Sequence, residues 1–415
     1  MNLGIIVDNE FNDDIRVRKE VEILKEAGHS IHVLCYDYHQ KEYPVIEGVQ
    51  IDRIEINQKI KDILFFFFNR IPVYEFLWRK KISRFIKNHS IDIIHAHDLY
   101  LSKAAFQGVK LSKRDCPVVL DLHENYPVVI QDYNWTRGTV RHFLSAPQKW
   151  EKKEGKYLSY ASKIIVLSDT YKNKLIQKYS FLNSANIVVF PNVINFKRFE
   201  SFKINPIIKR KKNVTLFYFG TVAERRGIFD AIEALRNVLK KGYKANLLIV
   251  GPVDKADKES FHATINEKDV KSYIKHTAWI PLSELVSYLK AIDICLAPFI
   301  KNPQHESGVA NKIYQYMYGG KPIIASDCLP QKELIESADC GLIYSNQDEF
   351  AEHIIYLIDH ADIRKKMGEN GYRELYKKYN NMEFSNILID LYGNIKPTNR
   401  EKDSKVLQSI SQQNP

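Results

Sequence analysis

The sequence predicts an α/β protein of two doubly wound domains that face each other across a cleft. Short apolar runs rich in β-branched residues alternate with helical patterns along the chain, as is typical of parallel sheets covered by helices on both faces. A polar, proline-containing stretch separates two similar halves, and 415 residues are enough for a core in each.

The predicted strands are the apolar runs of the two halves. In the first half they span residues 3–8, 31–36, 49–56, 91–97, 118–123, 164–168 and 187–191, and in the second half residues 214–220, 247–251, 276–280, 292–298, 323–327 and 342–345. A helical period is clear at Val17, Val21 and Leu24, and Ser283 has the position of an N-cap before Leu285.

These patterns also give predicted domain bounds. We expect an N-terminal Rossmann-like domain over residues 1–198, a linker over 199–213 and a second domain over 214–375. A C-terminal helix over 376–395 and a disordered polar tail over 396–415 should follow.

Composition excludes several classes of protein. The first apolar run leads directly into Asp8, and no run approaches the ~18 apolar residues of a spanning helix, so we expect neither a signal peptide nor a membrane span. The five cysteines are odd in number and include no Cys-x-x-Cys pair, which favours buried, reduced thiols in a cytosolic protein.

The net charge of +11 is unevenly distributed. Residues 59–87 hold eight basic and two acidic residues, a local charge of +6, together with four phenylalanines at 65–68 and Trp78. This combination predicts attachment to an anionic membrane surface, whereas a solvated helix face over an aromatic core is the alternative. Nucleic acid is not an expected partner, because the sequence has no signature of a nucleic-acid-binding motif.

Residues 305–322 predict an anion site. A short Glu306-Ser307-Gly308 loop leads into an amphipathic helix, which ends at Gly319-Gly320 before an apolar strand. Free N–H groups at a helix N-terminus bind anions, and a diphosphate is the usual one. An ordinary turn between a helix and a strand is the alternative.

Ligands of open α/β sheets bind at the carboxyl ends of the strands. In the first half these ends carry His97 and His123. In the second half Gly220 opens the loop GTVAERRG, whose Arg225 and Arg226 favour a phosphate-bearing ligand.

Several site types are missing from the sequence. It has no Asp-x-Asp, no P-loop, no Gly-x-Gly-x-x-Gly after the first strand, and no His or Cys cluster with metal-ligand spacing. We therefore expect neither a metal nor a cofactor. Phosphate would have to be neutralised by arginine, lysine and backbone N–H groups.

The chain resembles the retaining glycosyltransferases of family four, whose GT-B architecture consists of two facing Rossmann-like domains. The resemblance extends from residue 1 to about residue 393 and rests on short, degenerate segments that are specific because they occur in the family's order. They are NDDIRVRKEVEILKEAGHSIHVL, IDIIHAHDLYLSKAA, VVLDLHENYP, ASKIIVLSDTYKNKL, NIVVFPNVINFKRF, LFYFGTVAERRGIFDAIEAL, LLIVGP, WIPLSELVSYLKAIDICLAPF and NKIYQYMYGGKPIIASD.

The resemblance implies a donor site for a nucleoside-diphosphate sugar in the second domain. Arg226 matches the family's basic contact to the diphosphate, with Arg225 beside it. The family usually has an arginine directly after the glycine that matches Gly220, whereas this chain has Thr221. Trp279 lies where the family's backbone contacts the nucleotide base.

The family's paired glutamates are degraded here. Alignment on the Gly-Lys-Pro that closes the segment puts Gln315 at the second glutamate, which bonds ribose, and Ser307 at the first, which faces the donor sugar. Glu306 takes that catalytic position only if the loop is shifted by one residue. Gln315 can still bond ribose, but without charge. Gly308 and Lys312 complete the implied donor site.

The resemblance also implies an acceptor side in the first domain. His123 matches the family's histidine near the reacting sugar and is the second candidate catalytic residue. Asp14 and Arg16 are expected in the loop after the first strand, where acceptor and phosphate approach, and His97 is assigned to the same side.

The implied reaction is metal-independent, retaining transfer of a hexose or N-acetylhexosamine from a nucleoside-diphosphate sugar, most often UDP-linked. A glycan or lipid-linked glycan of surface-polysaccharide biosynthesis would be the acceptor, with the enzyme in the cytoplasm or on the inner face of the plasma membrane. The alternatives are a non-hydrolysing UDP-sugar 2-epimerase and a peripheral membrane protein with a decayed transferase site.

Overall fold

The structure, a computed structural model, describes residues 1–39, 43–133, 135–136, 138–380 and 382–395. The predicted tail over 396–415 lies outside the described residues. Contacts divide the chain into two compact units. Unit 1 is Met1–Pro191 with the C-terminal segment from Ser385, and unit 2 is Asn192–Phe384. The domain bounds at residues 198, 213 and 375 stay predictions.

Unit 1 is built on a parallel sheet of seven strands. They are β1 (Asn2–Ile6), β2 (Ser30–Asp37), β3 (Val49–Glu55), β4 (Ile93–His97), β5 (Val118–Asp121), β6 (Lys163–Val166) and β7 (Ile187–Val189). Their order is β3-β2-β1-β4-β5-β6-β7. The winding direction reverses between β1 and β4, so the carboxyl ends of these strands form the topological switch point, where such sheets bind ligands.

Unit 2 repeats the arrangement with six strands. They are β8 (Val214–Phe219), β9 (Ala245–Val250), β10 (Ile274–Thr277), β11 (Ile294–Ala297), β12 (Ile323–Ser326) and β13 (Gly341–Tyr344), in the order β10-β9-β8-β11-β12-β13. Here the switch point lies between β8 and β11. The predicted α/β class with doubly wound parallel sheets is confirmed for each unit.

Helices connect the strands of both sheets. They are α1 (Ile15–Glu26), α2 (Gln58–Phe66), α3 (Val73–Asn88), α4 (Ser102–Ser112), α5 (Tyr126–Asp132), α6 (Thr139–Ser145), α7 (Lys149–Leu158), α8 (Asp169–Lys178), α9 (Phe196–Glu200), α10 (Ile228–Lys240), α11 (Lys258–Ile265), α12 (Leu285–Ala291), α13 (Asn311–Tyr318), α14 (Leu329–Ser337), α15 (Gln347–Asp359), α16 (Ala361–Tyr379) and α17 (Met382–Gly393). The single helix predicted over 376–395 is thus the end of α16 followed by α17.

All predicted strands overlap an observed one, but the run at 276–280 is displaced. β10 begins at Ile274 and ends at Thr277, and a 3-10 turn follows over Leu282–Glu284. The predicted N-cap at Ser283 is wrong, since Ser283 lies inside that turn and α12 begins at Leu285.

The structure separates the apolar side chains of residues 59–87 into two sets. Phe68 and Trp78 are buried in the core of unit 1, and Phe65 packs edge-on against Tyr74. The exposed apolar side chains are others, namely Ile60, Ile63, Ile71, Val73, Phe76 and Leu77. The alternative of an aromatic core is therefore correct for Phe65, Phe68 and Trp78.

Two further expectations concern the cysteines and membrane spans. All five cysteines are buried and free of disulfides. Across the part of the chain that the structure describes, no helix is both long enough and apolar enough to cross a membrane.

Candidate functional site

The loop after β8 carries the two predicted arginines of unit 2. Gly220 has a φ of +116°, and Arg225 and Arg226 lie in the 3-10 turn that precedes α10. Gly227 has to be glycine, because its φ is +72° and a Cβ there would lie 1.4 Å from the carbonyl oxygen of Pro298. This close approach holds the loop against the end of β11, at the switch point of the sheet.

Lys312, in the first turn of α13, lies beside the same loop. A Cβ on Gly220 would lie 3.6 Å from Nζ of Lys312, which itself lies 4.0 Å from the centre of the Tyr218 ring. Nζ of Lys312 and Nε of Arg226 have no hydrogen-bond partner among the described residues. Arg225 differs, because it pairs with Asp254 at 3.4 Å.

The electrostatics of this loop favour an anion. Burial, and then the charge of Arg226, hold the pKa of Lys312 well below its usual range. Burial also lowers the pKa of Arg226. Two like charges kept close together with little solvent repel each other, and an anion between them would relieve the repulsion.

The segment before α13 adds backbone donors. α13 begins at Asn311 without a side-chain cap from any described residue, so the N–H groups of its first turn can bind an anion. Ser307 is buried, and its hydroxyl donates to the carbonyl oxygen of Pro303 at 2.6 Å. Gly308 is half-buried next to it.

In unit 1, charged side chains meet at the carboxyl ends of β4 and β5. Arg16 donates to both carboxylate oxygens of buried Asp121 at 2.8 to 3.0 Å. Nδ1 of His97 lies 2.9 Å from Nε2 of His123. His123 lies 3.6 Å from Asp121 and 4.0 Å from Asp98. Burial acts to lower the pKa of His123, but Asp98 and Asp121 outweigh it and raise this pKa to about 10.

A second layer lies behind His97. Nε2 of His95 and Nε2 of His97 each lie 3.9 Å from Oε2 of Glu20, and the two rings stack with centroids 4.3 Å apart. These three atoms are buried and have no hydrogen-bond partner within the described residues. Burial raises the pKa of Glu20 and lowers that of each histidine. The hydroxyl of Tyr392 lies 2.7 Å from Nδ1 of His95.

Glu20, His95, His97 and Asp121 also have the spacing of metal ligands, since one ligand atom of each lies within 4.8 Å of the others. Sequence spacing could not reveal this group, because its members come from α1, β4 and β5. Imidazole and carboxylate are ordinary metal ligands, but the charge beside them does not favour a divalent cation. The guanidinium of Arg16 lies 3.1 Å from Glu20 and 2.8 Å from Asp121 and would repel a second cation. A hydrogen-bonded network fits better.

Carboxyl groups with raised pKa values continue along this edge of the sheet. Burial raises the pKa of Asp8 to about 6 and that of Glu124 to about 7. The hydroxyl of Tyr74 bonds to Asp8, and that of Tyr133 donates to Glu124 at 2.6 Å. Such carboxyl groups can accept hydrogen bonds from a hydroxylated ligand.

Two family models match the chain. The Glycosyltransferase Family 4 model matches residues 16–198, and the Glycosyl transferases group 1 model matches residues 198–374. The chain belongs to glycosyltransferase family four. The capsular polysaccharide biosynthesis glycosyltransferase CapM of Staphylococcus aureus is 22% identical over 244 residues, which are 56% of this chain and 62% of CapM. The chain thus matches less than two thirds of that relative.

Solved structures share the fold of this glycosyltransferase. Sucrose-phosphate synthase from Thermosynechococcus elongatus superposes with a TM-score of 0.70 at 16% identity, over 94% of this chain and 98% of that one. HepE of Anabaena in complex with UDP superposes with a TM-score of 0.68 at 13% identity, over 95% of this chain and 100% of that one. Together with the two parallel sheets, these likenesses confirm the predicted GT-B fold.

Both candidates for the position of the family's first glutamate, Glu306 and Ser307, form hydrogen bonds within the protein. Oε1 of Glu306 accepts the N–H of Leu329 at 2.8 Å, so the carboxylate caps α14. Ser307 is held in its loop by the bond to Pro303 described above. The catalytic role of Glu306 and the sugar contact of Ser307 stay predictions.

The remaining predicted donor-side residues are Gln315 and Trp279. Gln315 is half-buried in α13, three residues after Lys312 and therefore on the same helix face. Trp279 follows β10 and is 71% exposed. Their contacts with ribose and with the nucleotide base stay predictions.

Of the acceptor-side residues, Asp14 lies at the end of the predicted loop after the first strand, whereas Arg16 does not lie in that loop, and the acceptor roles of Asp14, Arg16 and His97 stay predictions. Asp14 is the N-cap of α1, because its Oδ1 accepts the N–H of Val17 at 3.0 Å. Arg16 is therefore in the first turn of a helix, not in a loop, and it is bonded to Asp121. His97 is buried, and His123 is the member of that pair that reaches the surface, with 21% of its side chain exposed.

Sequence reasoning missed Glu20, His95, Asp121 and Tyr392. A signal for two of them exists. Glu20 follows Arg16 by four residues, which puts two charged side chains on the buried face of α1. His95 precedes His97 by two residues, which puts both rings on one face of β4. Nothing in the sequence points to Tyr392.

Proposed function

We propose that this glycosyltransferase moves a hexose or N-acetylhexosamine from a UDP-linked sugar to a glycan or lipid-linked glycan, with retention and without a metal. The observation that carries the proposal is the pair of cations, Lys312 and Arg226, beside Gly220 at the switch point of unit 2. HepE has been solved with UDP-glucose, and CapM is named for capsular polysaccharide biosynthesis. These relatives support the donor and the acceptor class.

The chemistry follows from where charge develops. Cleavage of the anomeric C–O bond leaves a nucleoside diphosphate and an oxocarbenium-like sugar, so negative charge grows on the diphosphate. Arg226, Lys312 and the N–H groups at the start of α13 are fixed beforehand to stabilise it, which is usually the largest single contribution to catalysis. Attack by the acceptor from the face that the phosphate leaves gives retention, and the departing phosphate takes the acceptor proton.

Metal independence follows from the same residues. The sequence has no Asp-x-Asp to hold a metal–diphosphate complex, and two cations already serve the diphosphate. We therefore expect transfer to continue in EDTA. Complete loss of transfer in EDTA, restored by magnesium or manganese, would contradict this part of the proposal.

UDP release tests the function as a whole. The purified protein is incubated with a panel of UDP-sugars, with and without acceptor glycans. Slow release of UDP that accelerates with one acceptor supports a transferase. Conversion of one UDP-sugar into another without an acceptor identifies the 2-epimerase instead, and a folded protein that does neither has a decayed site.

We also place unit 1 on an anionic membrane surface, the inner face of the plasma membrane, and the structure revises which side chains would insert. Phe143 of α6 is 68% exposed, and its ring lies 4.9 Å from the guanidinium of Arg70. The exposed Ile71 and Phe76 follow in sequence, and the ammonium of Lys80 lies 4.3 Å from the Phe76 ring. Exposed apolar side chains among basic ones suit a headgroup region.

Liposome co-sedimentation tests the membrane proposal. Binding should require anionic lipid, weaken as salt rises, and fall when Lys80, Lys81 and Arg84 are changed to Ser. Phe143→Ser should weaken it as well, whereas Ile207→Ser, at an exposed apolar position of unit 2, should not. Equal amounts of protein in the supernatant with neutral and with anionic vesicles would refute docking and leave the transferase proposal intact.

A further inference from the structure

We infer that His97 and Glu20 are positioning residues that fix the ring of His123, with its Nε2–H held inward and its Nδ1–H presented at the edge of the sheet. The consequence for catalysis rests on the proposed function. The hydrogen bond between His97 and His123 itself can be measured without any activity.

The contact between the two histidines allows only two arrangements. At 2.9 Å, Nε2 of His123 and Nδ1 of His97 must be one donor and one acceptor. Asp121 lies 3.6 Å from Nε2 of His123 and also 3.6 Å from Nδ1 of His97, so it does not distinguish the two rings. His123, however, faces a second carboxylate, Asp98, 4.0 Å from its Nδ1. Both ring nitrogens of His123 therefore carry a proton, so Nε2–H donates and Nδ1 of His97 accepts.

This assignment fixes the state of His97. A neutral His97 that accepts at Nδ1 has its proton on Nε2, and Nε2 points at Oε2 of Glu20 at 3.9 Å. This distance is longer than a hydrogen bond, so Nε2–H of His97 and the carboxyl oxygen of Glu20 make a polar contact only. Burial, which lowers the pKa of His97, keeps its ring neutral.

Glu20 is in turn held from the other side. Nε of Arg16 lies 3.1 Å from Oε1 of Glu20, and the same guanidinium is fixed on Asp121. A chain of contacts thus leads from Arg16 through Glu20 and His97 to His123. Its rigid end is inside the core, and its other end is a ring whose Nδ1–H can donate to a ligand oxygen.

His95 provides the matched control. It lies two residues before His97 on the same strand face, stacks on it and is equally buried. Its hydrogen bond runs to Tyr392, however, and not to His123. A general effect of disturbing the core should follow from both histidines, whereas the positioning effect should follow from His97 alone.

Nitrogen-15 NMR of the full-length protein labelled at histidine tests the chain directly. In the wild type near pH 7 we expect both ring nitrogens of His123 to be protonated and a scalar coupling across the N–H···N bond to His97. The coupling should persist in His95→Leu. In His97→Leu the Nε2–H of His123 should exchange faster with water, and His97→Asn, which keeps an acceptor near the Nδ1 position, should restore slow exchange.

A protonated Nδ1 on wild-type His97 would overturn the inference, and this result needs no variant that might fail to fold. A His123 spectrum in His97→Leu identical to that of the wild type would overturn it too. So would equal faster exchange of the Nε2–H of His123 in the Leu variants of both histidines.

UDP release from UDP-glucose adds a kinetic measure. His97→Leu should lower kcat on the order of 10²-fold with little change in KM, because the reacting group is displaced rather than removed. His97→Asn should recover most of that loss. If the wild type releases no UDP from any UDP-sugar, the proposed function fails, while the NMR result still decides the positioning chain.

Discussion

At the switch point of unit 1 the charged side chains face one another, with Arg16 on Asp121, His123 between Asp121 and Asp98, and His97 on His123. At the switch point of unit 2 the arrangement is the reverse. The charge of Arg226 acts on Lys312, and neither Nζ of Lys312 nor Nε of Arg226 has a hydrogen-bond partner in the described part of the chain.

The difference indicates what each region is for. A network in which buried opposite charges are paired is rigid before a ligand arrives, and it loses stability or precision when one member is removed. Burial and the charge of Arg226 suppress the positive charge of Lys312 until an anion binds, so removal of either basic side chain should cost binding and transition-state stabilisation instead. Changes in unit 2 should therefore have the largest effects on donor use.

Arg226→Ala tests the unit 2 site most strongly. Loss of a charge-assisted contact to the leaving diphosphate should lower kcat/KM for the donor by about 10²–10³-fold, or roughly 2–4 kcal/mol. The measurement is UDP release under steady-state conditions. Tyr243→Ala is the control, because Tyr243 bonds to Asp359 at 2.8 Å, away from the β8 loop. Equal losses from the two changes would mean that Arg226 does not contact the diphosphate.

Lys312→Met removes the buried cation and should weaken UDP binding by roughly 10- to 100-fold, or about 1.5–3 kcal/mol. A second readout follows from the sign of the pKa shift. The folded pKa lies well below the usual 10.5, and a bound anion raises it again, so UDP binding takes up a proton between those two values.

Calorimetry at about pH 8–9 in two buffers of different ionisation enthalpy measures that proton uptake. The wild type should show it, and Lys312→Met should not. The groups near Lys312 include Arg226, the Cys295 thiol, the Tyr218 ring and the Phe299 ring. Identical apparent enthalpies in both buffers for the wild type would show that Lys312 is already charged before UDP binds.

The contrast between the units also explains what the sequence could predict. Strands, sheet class and the unit 2 loop follow from local patterns, since Gly220, Arg226 and Gly227 lie within eight residues of one another. The unit 1 network joins side chains from α1, β4, β5 and α17, so only the folded chain brings Arg16 to Asp121, 105 residues away. Local reasoning therefore could not pair Arg16 with Asp121.

Placement of the aromatic side chains failed for a related reason. The sequence shows Phe68, Trp78, Phe76 and Leu77 only as large apolar residues. In the structure Phe68 and Trp78 are buried in the core of unit 1, whereas Phe76 and Leu77 are exposed. Which face of α3 is covered depends on α4 and on the end of α2, which periodicity alone does not show. The exposed Phe143 of α6 was missed because its segment is short.

The unit 1 network makes a prediction about pH. The pKa of His123 is raised from 6.5 to about 10 by Asp98 and Asp121, against burial and the charge of Arg16. Its contribution to stability is therefore full below about pH 6.5 and is lost as pH rises through about 10. In His123→Gln the loss should vanish, so the difference in unfolding free energy between the two proteins should shrink by about 1 kcal/mol or more over that window.

Urea unfolding at several pH values between about 6 and 10.5 gives this difference. Tyr171→Phe is a suitable control, because Tyr171 is buried in unit 1 and its pKa is raised by burial and by groups outside the His123 network. A difference between wild type and His123→Gln that stays constant with pH would mean that His123 is neutral in the folded protein.

Gln315→Glu should have the smallest effect. It tests the comparison between the units by adding an acidic side chain to the basic site of unit 2. It would give Lys312 a carboxylate three residues away on the same helix face, and so would make unit 2 resemble the matched network of unit 1. Two contributions then oppose each other. A carboxylate bonds the ribose hydroxyls more strongly than an amide does, whereas an ion pair with Lys312 competes with the diphosphate. We expect UDP affinity to be kept or improved by up to about 5-fold, roughly 1 kcal/mol, with less proton uptake on binding than in the wild type.

Gln315→Leu, which cannot bond ribose, should bind UDP more weakly and keep the wild-type proton uptake. A folded Gln315→Glu protein that no longer binds UDP would show that residue 315 does not lie against the ribose, because charge at that position would then only repel the diphosphate.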